Sequence, residues 1–329
     1  YKSPGNKNNR HHIREHVKRI ESRHRAIVLE FGMSARGHLT RSCQIIKPNM
    51  AIITMVGTSH IGNLGGSLSN LIRAKSELIK HMQQRGTLFL NADDKNSKQL
   101  LSKNFHGRII KIGINNQANY RATHVAYSKG GMTFRVELDG NACNFFIPIY
   151  GKHNVYNAMF AIAVAHTLGF SPEKIKAGLR SYERPNRRLR IYSLKMGIKL
   201  IDDTFNANPN SVKAALDVLT TISKHKCVAV LGSMGELGTY SQKGHVNVGI
   251  YAASKNNLNH IFTYGEKARQ IARAAINAGF PRHRIIQSID RKTLHDHLKR
   301  NIQPGSTILV KGSNSMGMNK TVSFIKSLY

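Results

Sequence analysis

Short apolar runs that alternate with helical stretches predict an α/β protein with two open, doubly wound parallel sheets. Three observations carry that prediction. The alternation occurs once before residue 108 and again after residue 188. Between them, residues 108–149 change to β-type runs joined by turn residues. Two of the apolar runs end in acid- and Asn-bearing turns, Asn91–Asp94 and Asp202–Asn210, where sheets of this kind hold ligands. With 329 residues and 40% hydrophobic content, two domains are expected, at 1–184 and 185–329.

In chain order, residues 10–25 read as a basic helix with few apolar positions, Ile13, Val17 and Ile20. Ala26–Glu30 reads as a buried strand ending in an acid, and Ala51–Val56 as a second strand leading into the loop Gly57–Gly66. A helix from Leu71 to Met82 carries Lys75, and Thr87–Leu90 forms a third strand. Residues 108–149 read as β-hairpins turning at Asn115-Asn116, Lys129–Gly131 and Asp139–Asn141. Helices follow at Asn154–Leu168 and, from a proline start, Pro172–Tyr182. Pro185–Arg188 reads as a linker. Beyond it, strands at Lys199–Asp202, Cys227–Leu231, His260–Tyr264, Arg284–Gln287 and Thr307–Val310 alternate with helices, as in a Rossmann-like sheet.

The composition narrows the function classes. No apolar run approaches the roughly 20 residues of a membrane-spanning helix, and no signal peptide is visible. Cys43, Cys143 and Cys227 are far apart and form no C-x-x-C, which fits a reducing cytoplasm and argues against a disulfide framework or a cysteine zinc site. The net charge of +33 predicts attraction to polyanions, namely nucleotides, UDP-linked substrates, anionic polymers, nucleic acid or a membrane surface, and reads equally as a general surface bias. No RRM or zinc-finger signature accompanies it, and aromatic content is only 7%.

From position alone, Glu30 and His60 should face the crevice beyond the first sheet's carboxyl edge, where a carboxylate and an imidazole could hold Mg²⁺ beside phosphate oxygens. The plainer reading of the same residues is a helix-capping or solvated acid and a loop histidine. Lys75 taken alone is a solvated helix lysine. Lys152–Ala158 sits at a helix start, where Asn or His caps. The glycine turns after strands, as in Leu231–Gly238 and Lys311–Ser313, are generic one by one.

Taken together, the motifs resemble the Mur ligases. Asp202–Ser211 is similar to D-D-x-[YF]-N-A-N-P-x-S, the form found in the branch that adds D-alanyl-D-alanine. Val28–Gly32 matches V-L-E-[FM]-G, Thr54–His60 matches T-x-x-G-x-x-H, and Ala74–Leu78 matches A-K-x-E-[LI]. Gly151–Ala158 matches G-x-H-N-x-x-N-A, Leu231–His245 matches V-L-G-x-M-x-E-L-G…H, and Lys311–Ser313 matches K-G-S. The resemblance covers nearly the whole chain. It implies a Mur-ligase ATPase-type central domain followed by a Rossmann-like domain. The implied activity is an ATP- and Mg²⁺-dependent amide ligation through an acyl phosphate, in cell-wall peptidoglycan synthesis. The partners implied are a UDP-linked muramyl peptide and an amine such as D-Ala-D-Ala.

Residue roles follow from the same resemblance. Glu30 and His60 are the metal ligands and Lys75 is a carbamylated lysine that supports the metal. Asn154 and Asn157 approach adenine. Arg188, the family's interdomain arginine, joins Asp203 and Asn208 at nucleotide phosphate or ribose. Lys311 and Ser313 receive the incoming amine or substrate carboxylates, and Asn6, in Ser3–Asn9 (compare T-x-G-N-x-N-N), lies by the substrate.

Three departures accompany the match. No G-x-x-x-x-G-K-[ST] occurs, so the chain is expected to be a fragment cut after that loop, lacking the UDP-binding domain and inactive by itself. A basic segment, Arg10–Arg14, replaces the usual G-x-P continuation, and Met55 replaces an Asn. These leave two alternatives, a paralogue with a different acidic acceptor and a polyanion-binding protein without catalysis.

Overall fold

A computed structural model describes residues 1–329. The chain falls into two compact units, Tyr1–Pro148 with Lys152–Tyr182, and Ile149–Gly151 with Glu183–Tyr329. In each, a parallel sheet carries helices.

In the first unit, α1 (Arg10–Val17) and α2 (His38–Cys43) precede β1 (Met50–Ile53), α3 (Leu68–His81) and β2 (Thr87–Asn91). Then come β3 (Arg108–Gly113), β4 (Tyr120–Ser128), β5 (Gly131–Leu138), β6 (Asn141–Ile147), α4 (Lys152–Thr167) and α5 (Pro172–Arg180). The sheet order is β1-β2-β3-β4-β5-β6. Strands β1 to β4 pair in parallel and β4 to β6 antiparallel. The hairpin expectation therefore holds for β4–β6, whereas β3 belongs to the parallel part. The β5–β6 turn is an Asp-Gly pair with positive φ at both Asp139 and Gly140, the geometry that a two-residue hairpin requires. Leu71, Ile72, Ala74 and Ile79 of α3 bury against Ala51, Ile53, Leu88 and Leu90, and Lys75 rides on the same helix.

Two expectations change here. The basic helix ends at Val17 instead of continuing to Arg25. Ile13 and His16 are buried, but beyond Val17 only Ile20 offers an apolar contact, and the chain turns through Glu21–His24. Ala26–Glu30 is extended but is not a buried strand. Its one ladder contact is the bridge Lys2↔Val28, and Val28 is 66% exposed. An apolar run is buried only where a sheet and its covering helices accept it, and this segment pairs with residues 1–3 alone.

The second unit contains β7 (Arg190–Ser193), β8 (Lys199–Asp203), α6 (Pro209–Ile222), β9 (Cys227–Gly232), α7 (Ser241–Ala253) and β10 (His260–Tyr264). It continues with α8 (Arg269–Asn277), β11 (Ile285–Ser288), α9 (Arg291–Asn301), β12 (Thr307–Lys311) and α10 (Asn319–Leu328). The order is β11-β10-β9-β12-β8-β7. All pairs are parallel except the β7–β8 edge. Every residue of β9 is buried, as a central strand covered on both faces requires. Leu294 and Leu298 of α9 and Val322 and Ile325 of α10 close one face over Val228, Val230 and Ile308. Helices α6, α7 and α8 pack over the other. From β9 the chain winds outward to β11, then returns to insert β12 between β9 and β8. That reversal is a topological switch point, and it opens a crevice at the strands' carboxyl ends.

Candidate functional site

The crevice in the second unit gathers Asp203, Lys311 and Ser313. Asp203 ends β8, Lys311 ends the neighbouring β12, and their Cα positions are register partners. The Lys311 ammonium donates to Asp203 Oδ2 at 2.5 Å and to the Asn206 carbonyl at 2.9 Å, with the lysine only 3% exposed. An ammonium has three donors, so one N–H remains for a ligand. Asp203 Oδ1 accepts from the Leu189 amide. Ser313 Oγ accepts from Gly235 N at 2.6 Å, so the loops after β9 and β12 are tied together. Beneath them Gly232 and Gly312 lie side by side. A Cβ on Gly312 would stand 2.7 Å from Met318 Cγ and 3.1 Å from Gly232 Cα, so only glycine fits this close approach.

The Asn-rich turn is built for its own helix. Asn208 caps α6, its Oδ1 accepting from Ser211 N while Ser211 Oγ accepts from Asn208 N, each at 3.0 Å. This reciprocal box satisfies two otherwise orphaned donors. Arg188 is exposed and stacks its guanidinium 4.1 Å from the Phe205 ring centroid. Its neighbour Arg187, which sequence reading passed over, donates to Thr204 Oγ1 and O and to Asn314 Oδ1. It thereby links the turn after β8 to that after β12. Its positive φ of 63° separates its direction from that of Arg188, and sequence carries no signal for such a switch. His245, inside the matched motif, is fully buried. Its Nε2 accepts from Met234 N and its Nδ1 donates to the Ser241 carbonyl. Burial, with Lys267 nearby, holds its pKa below the usual range, so it serves as a neutral tether of the Gly-rich loop.

In the first unit the candidates are dispersed over separate elements. Glu30 is exposed. Its Oε1 accepts from Asn8 Nδ2 at 2.8 Å and its amide donates to Ser3 Oγ. Asn8, not the exposed Asn6, therefore reaches the acid. His60 adopts a left-handed conformation, φ 61°, just before a short 3₁₀ turn. Lys75 lies midway along α3, and burial lowers its pKa against the opposing charge of Asp94. Glu77, two residues on, accepts from Gly37 N, Thr40 N and Thr40 Oγ1, which satisfies the start of α2. Nowhere does the structure gather three His, Cys, Asp or Glu side chains able to hold an ion.

Asp93 is the strongest polar hub of this unit and received no role from sequence. Its carboxylate accepts from the amides of Ile114, Asn115 and Asn116 and from Tyr156 Oη. Burial would raise its pKa, but these donors outweigh it and hold the carboxyl below the usual range. Tyr156 is correspondingly pushed up, by burial first and then by Asp93. The same helix start presents Asn154 and Asn157, joined by Asn157 Nδ2 to Asn154 Oδ1 at 3.2 Å. Asp94 accepts from Val56 N at 2.7 Å and from Ser97 Oγ, which fixes the loop that leads to His60.

Comparison with known proteins places this geometry. A family model for the Mur ligase middle domain matches residues 1–165, and one for the Mur ligase glutamate ligase domain matches residues 187–314. The UDP-N-acetylmuramoyl-tripeptide–D-alanyl-D-alanine ligase of Bacillus subtilis (strain 168) is 32% identical over 323 residues, which span 98% of this chain and 69% of the relative. That of Escherichia coli (strain K12) is 28% identical, over 97% of this chain and 69% of its own length. A crystal structure of MurF from Acinetobacter baumannii superposes with a TM-score of 0.89 at 27% identity, over 99% of this chain and 70% of that one.

Proposed function

Because this chain belongs to the Mur ligase family, we propose that it is the catalytic part of an ATP-dependent amide ligase. The ligase joins D-alanyl-D-alanine to a UDP-linked muramyl tripeptide. The observation that carries this is the Asp203–Lys311–Ser313 array at the switch-point crevice, in the D-D-T-F-N-A-N-P setting. The acceptor carboxylate attacks the γ-phosphorus of ATP, ADP leaves, and an acyl phosphate forms. The amine then attacks that acyl carbon and phosphate departs. Lys311 holds Asp203 and the Asn206 turn in place and keeps one N–H for a substrate carboxylate, beside the Ser313 hydroxyl. Arg188, Asp203 and Asn208 are assigned to nucleotide phosphate and ribose, and Asn154 and Asn157 to adenine. The G-x-x-x-x-G-K-[ST] loop that would cradle the phosphates is not among these 329 residues.

Mg²⁺ fits the first unit. Glu30 presents an exposed carboxylate with one oxygen already oriented by Asn8, and His60 lies on the fixed loop after β1. An incomplete protein set suits this ion, which keeps waters and takes phosphate oxygens. Burial drives Lys75 toward the neutral amine, the form that reacts with CO₂ to give a carbamate. When bound, Mg²⁺ would neutralise charge on the transferring phosphoryl group.

The test is phosphate release by the natural polypeptide that contains these residues, supplied with ATP, Mg²⁺ and UDP-muramyl tripeptide, with and without D-alanyl-D-alanine. Release that needs both substrates is expected. ATP binding without such release would overturn the acceptor and favour another acidic one, with the exposed Arg10 and Arg14 of α1 as the first place to look. Lys75→Ala should abolish release, with partial rescue by a small carboxylate.

A further inference from the structure

The acids of the second unit cluster toward one end of its strands. Asp202 and Asp203 end β8, and Glu236, Glu266 and Asp290 follow the carboxyl ends of β9, β10 and β11, while Asp217 and Asp296 lie on helices α6 and α9. The segments that enter the five parallel strands, 194–201, 223–231, 254–264, 280–288 and 297–310, contain no acid at all. They carry Lys224 and Lys226 before β9, Arg282 and Arg284 before β11, and Lys299 and Arg300 before β12. All six are exposed, and none is ion-paired. Lys255, before β10, is the exception, because Asp217 neutralises it at 2.5 Å.

Helix C-termini also end at this edge, and basic residues there commonly offset the helix dipole. Five helix ends at about half a charge each supply roughly −2.5. The six side chains just named already exceed that, and Lys195 and Lys199 before β8 add to the surplus. Strand register sets Arg284 beside His260 at the start of β10. Lys226, Arg284 and His283, after burial, all depress the His260 pKa, a sign that their fields add.

We propose that this amino edge is a docking surface for an anionic lipid bilayer. Five strands at about 4.8 Å spacing give a cationic front roughly 19 Å wide, with no acid in the segments that enter the strands and with the nearby Asp217 already paired to Lys255. It lies at the end of the sheet opposite the Asp203–Lys311 crevice, so docking leaves that crevice clear. One apolar side chain stands out of it: Met196, 56% exposed between Lys195 and Lys199, on a turn with positive φ at both Met196 and Gly197. Two features favour a bilayer over nucleic acid. The edge presents helix C-termini, not the N-termini whose amides grip phosphates. Nor does it offer an exposed aromatic platform for bases, since Phe280, the one Phe or Tyr ahead of these strands in the segments named, is buried.

The test is co-sedimentation of the full chain with vesicles of phosphatidylcholine containing about 30 mol% phosphatidylglycerol, at an ionic strength of about 0.15 M. Binding is expected with these vesicles and not with pure phosphatidylcholine. The variant K224Q/K226Q/R282Q/R284Q should weaken it on the order of 100-fold, and Met196→Ser about 3-fold. The control K95Q/K98Q/K103Q/R108Q removes the same charge from exposed positions of the first unit and should weaken it only a few-fold. Equal losses in the two quadruple variants would mean that net charge alone binds, and would overturn the proposal. So would binding to duplex DNA without binding to vesicles, or no vesicle binding at all. Should the first quadruple variant fail to fold, K224Q/K226Q and R282Q/R284Q made separately give the same comparison, each expected to lose roughly 10-fold.

Discussion

The two carboxyl edges of this protein hold their candidate residues in opposite ways. In the second unit Asp203 and Lys311 end adjacent parallel strands and meet as register partners, so the sheet itself assembles the pair. In the first unit Glu30 lies outside the sheet, His60 lies on a loop and Lys75 on a helix. Asn8 holds Glu30, whereas Lys75 is set by burial on α3 and by the charge of Asp94. A site carried by neighbouring strands is complete once the fold forms. A site spread over a loop, a helix and an extended segment is completed by what binds there. Substitutions should therefore cost stability in the second unit and mainly activity in the first.

The largest effect should come from breaking the strand-borne pair. Lys311→Met leaves the Asp203 carboxylate, 13% exposed, without its counter-charge, and breaking a buried pair costs about 3 kcal/mol or more. Urea unfolding of the Met variant, of Asp203→Asn and of the double variant forms a cycle. The double variant should recover much of the loss, because no charge is then left buried alone. If the single and double variants were equally unstable, the pair would not be the organising contact, and the contrast between the two edges would fall.

Asp93 sharpens the comparison, since it gives the first unit a structural hub that its functional candidates lack. Asp93→Asn should cost about 2 kcal/mol, through weakened charge-assisted bonds at a partly exposed site. The native carboxyl is held below its ordinary range. The stability it contributes is therefore fully present above the unfolded value of about 3.9 and is lost as pH falls through the lower native value. Urea midpoints of the wild type and Asp93→Asn should converge in that acidic window. A gap that persisted there would show that shape, not charge, makes the hub.

The limits of sequence reading follow the same line. The strands of the second unit are legible because each is an apolar run that really is buried, as in β9. Only β7 was missed, four residues at an antiparallel edge with half-buried Ile191 and Tyr192, too short to show a period. Ala26–Glu30 has the same apolar wording but too little sheet to bury it, and Val28 stands in solvent. Asp203, Lys311 and Ser313 are legible only as members of a motif set, because an acid or a glycine turn after a strand is generic one by one. Asp93 and Glu77 were passed over because their partners are backbone amides 21 to 40 residues away, which spacing along the chain does not reveal. Arg187 was passed over because one positive φ decides which of two adjacent arginines turns inward.

Lys75→Met tests the first unit's functional side. Burial lowers the native lysine's pKa, so over that range the unfolded state binds the proton more tightly. Wild-type stability should then rise with pH until the unfolded value of about 10.4 is passed. The Met variant removes this cost and should be more stable at neutral pH by about 1 kcal/mol, while its ligase activity is lost. A destabilised Met variant would place Lys75 among the structural contacts and erase the distinction from Lys311.

Glu30→Ala should show the smallest stability effect and completes the contrast. The carboxylate is exposed, and its side-chain bond is a single one to Asn8, so folding should change by less than about 0.5 kcal/mol. Its amide bond to Ser3 survives the substitution. If Glu30 holds the ion, the loss should appear instead as a higher Mg²⁺ requirement for phosphate release, with the urea midpoint unmoved. A shifted midpoint with unchanged Mg²⁺ dependence would reverse the assignment. The Asn8–Glu30 contact would then be a brace for the chain's first thirty residues, and the metal would be held from elsewhere.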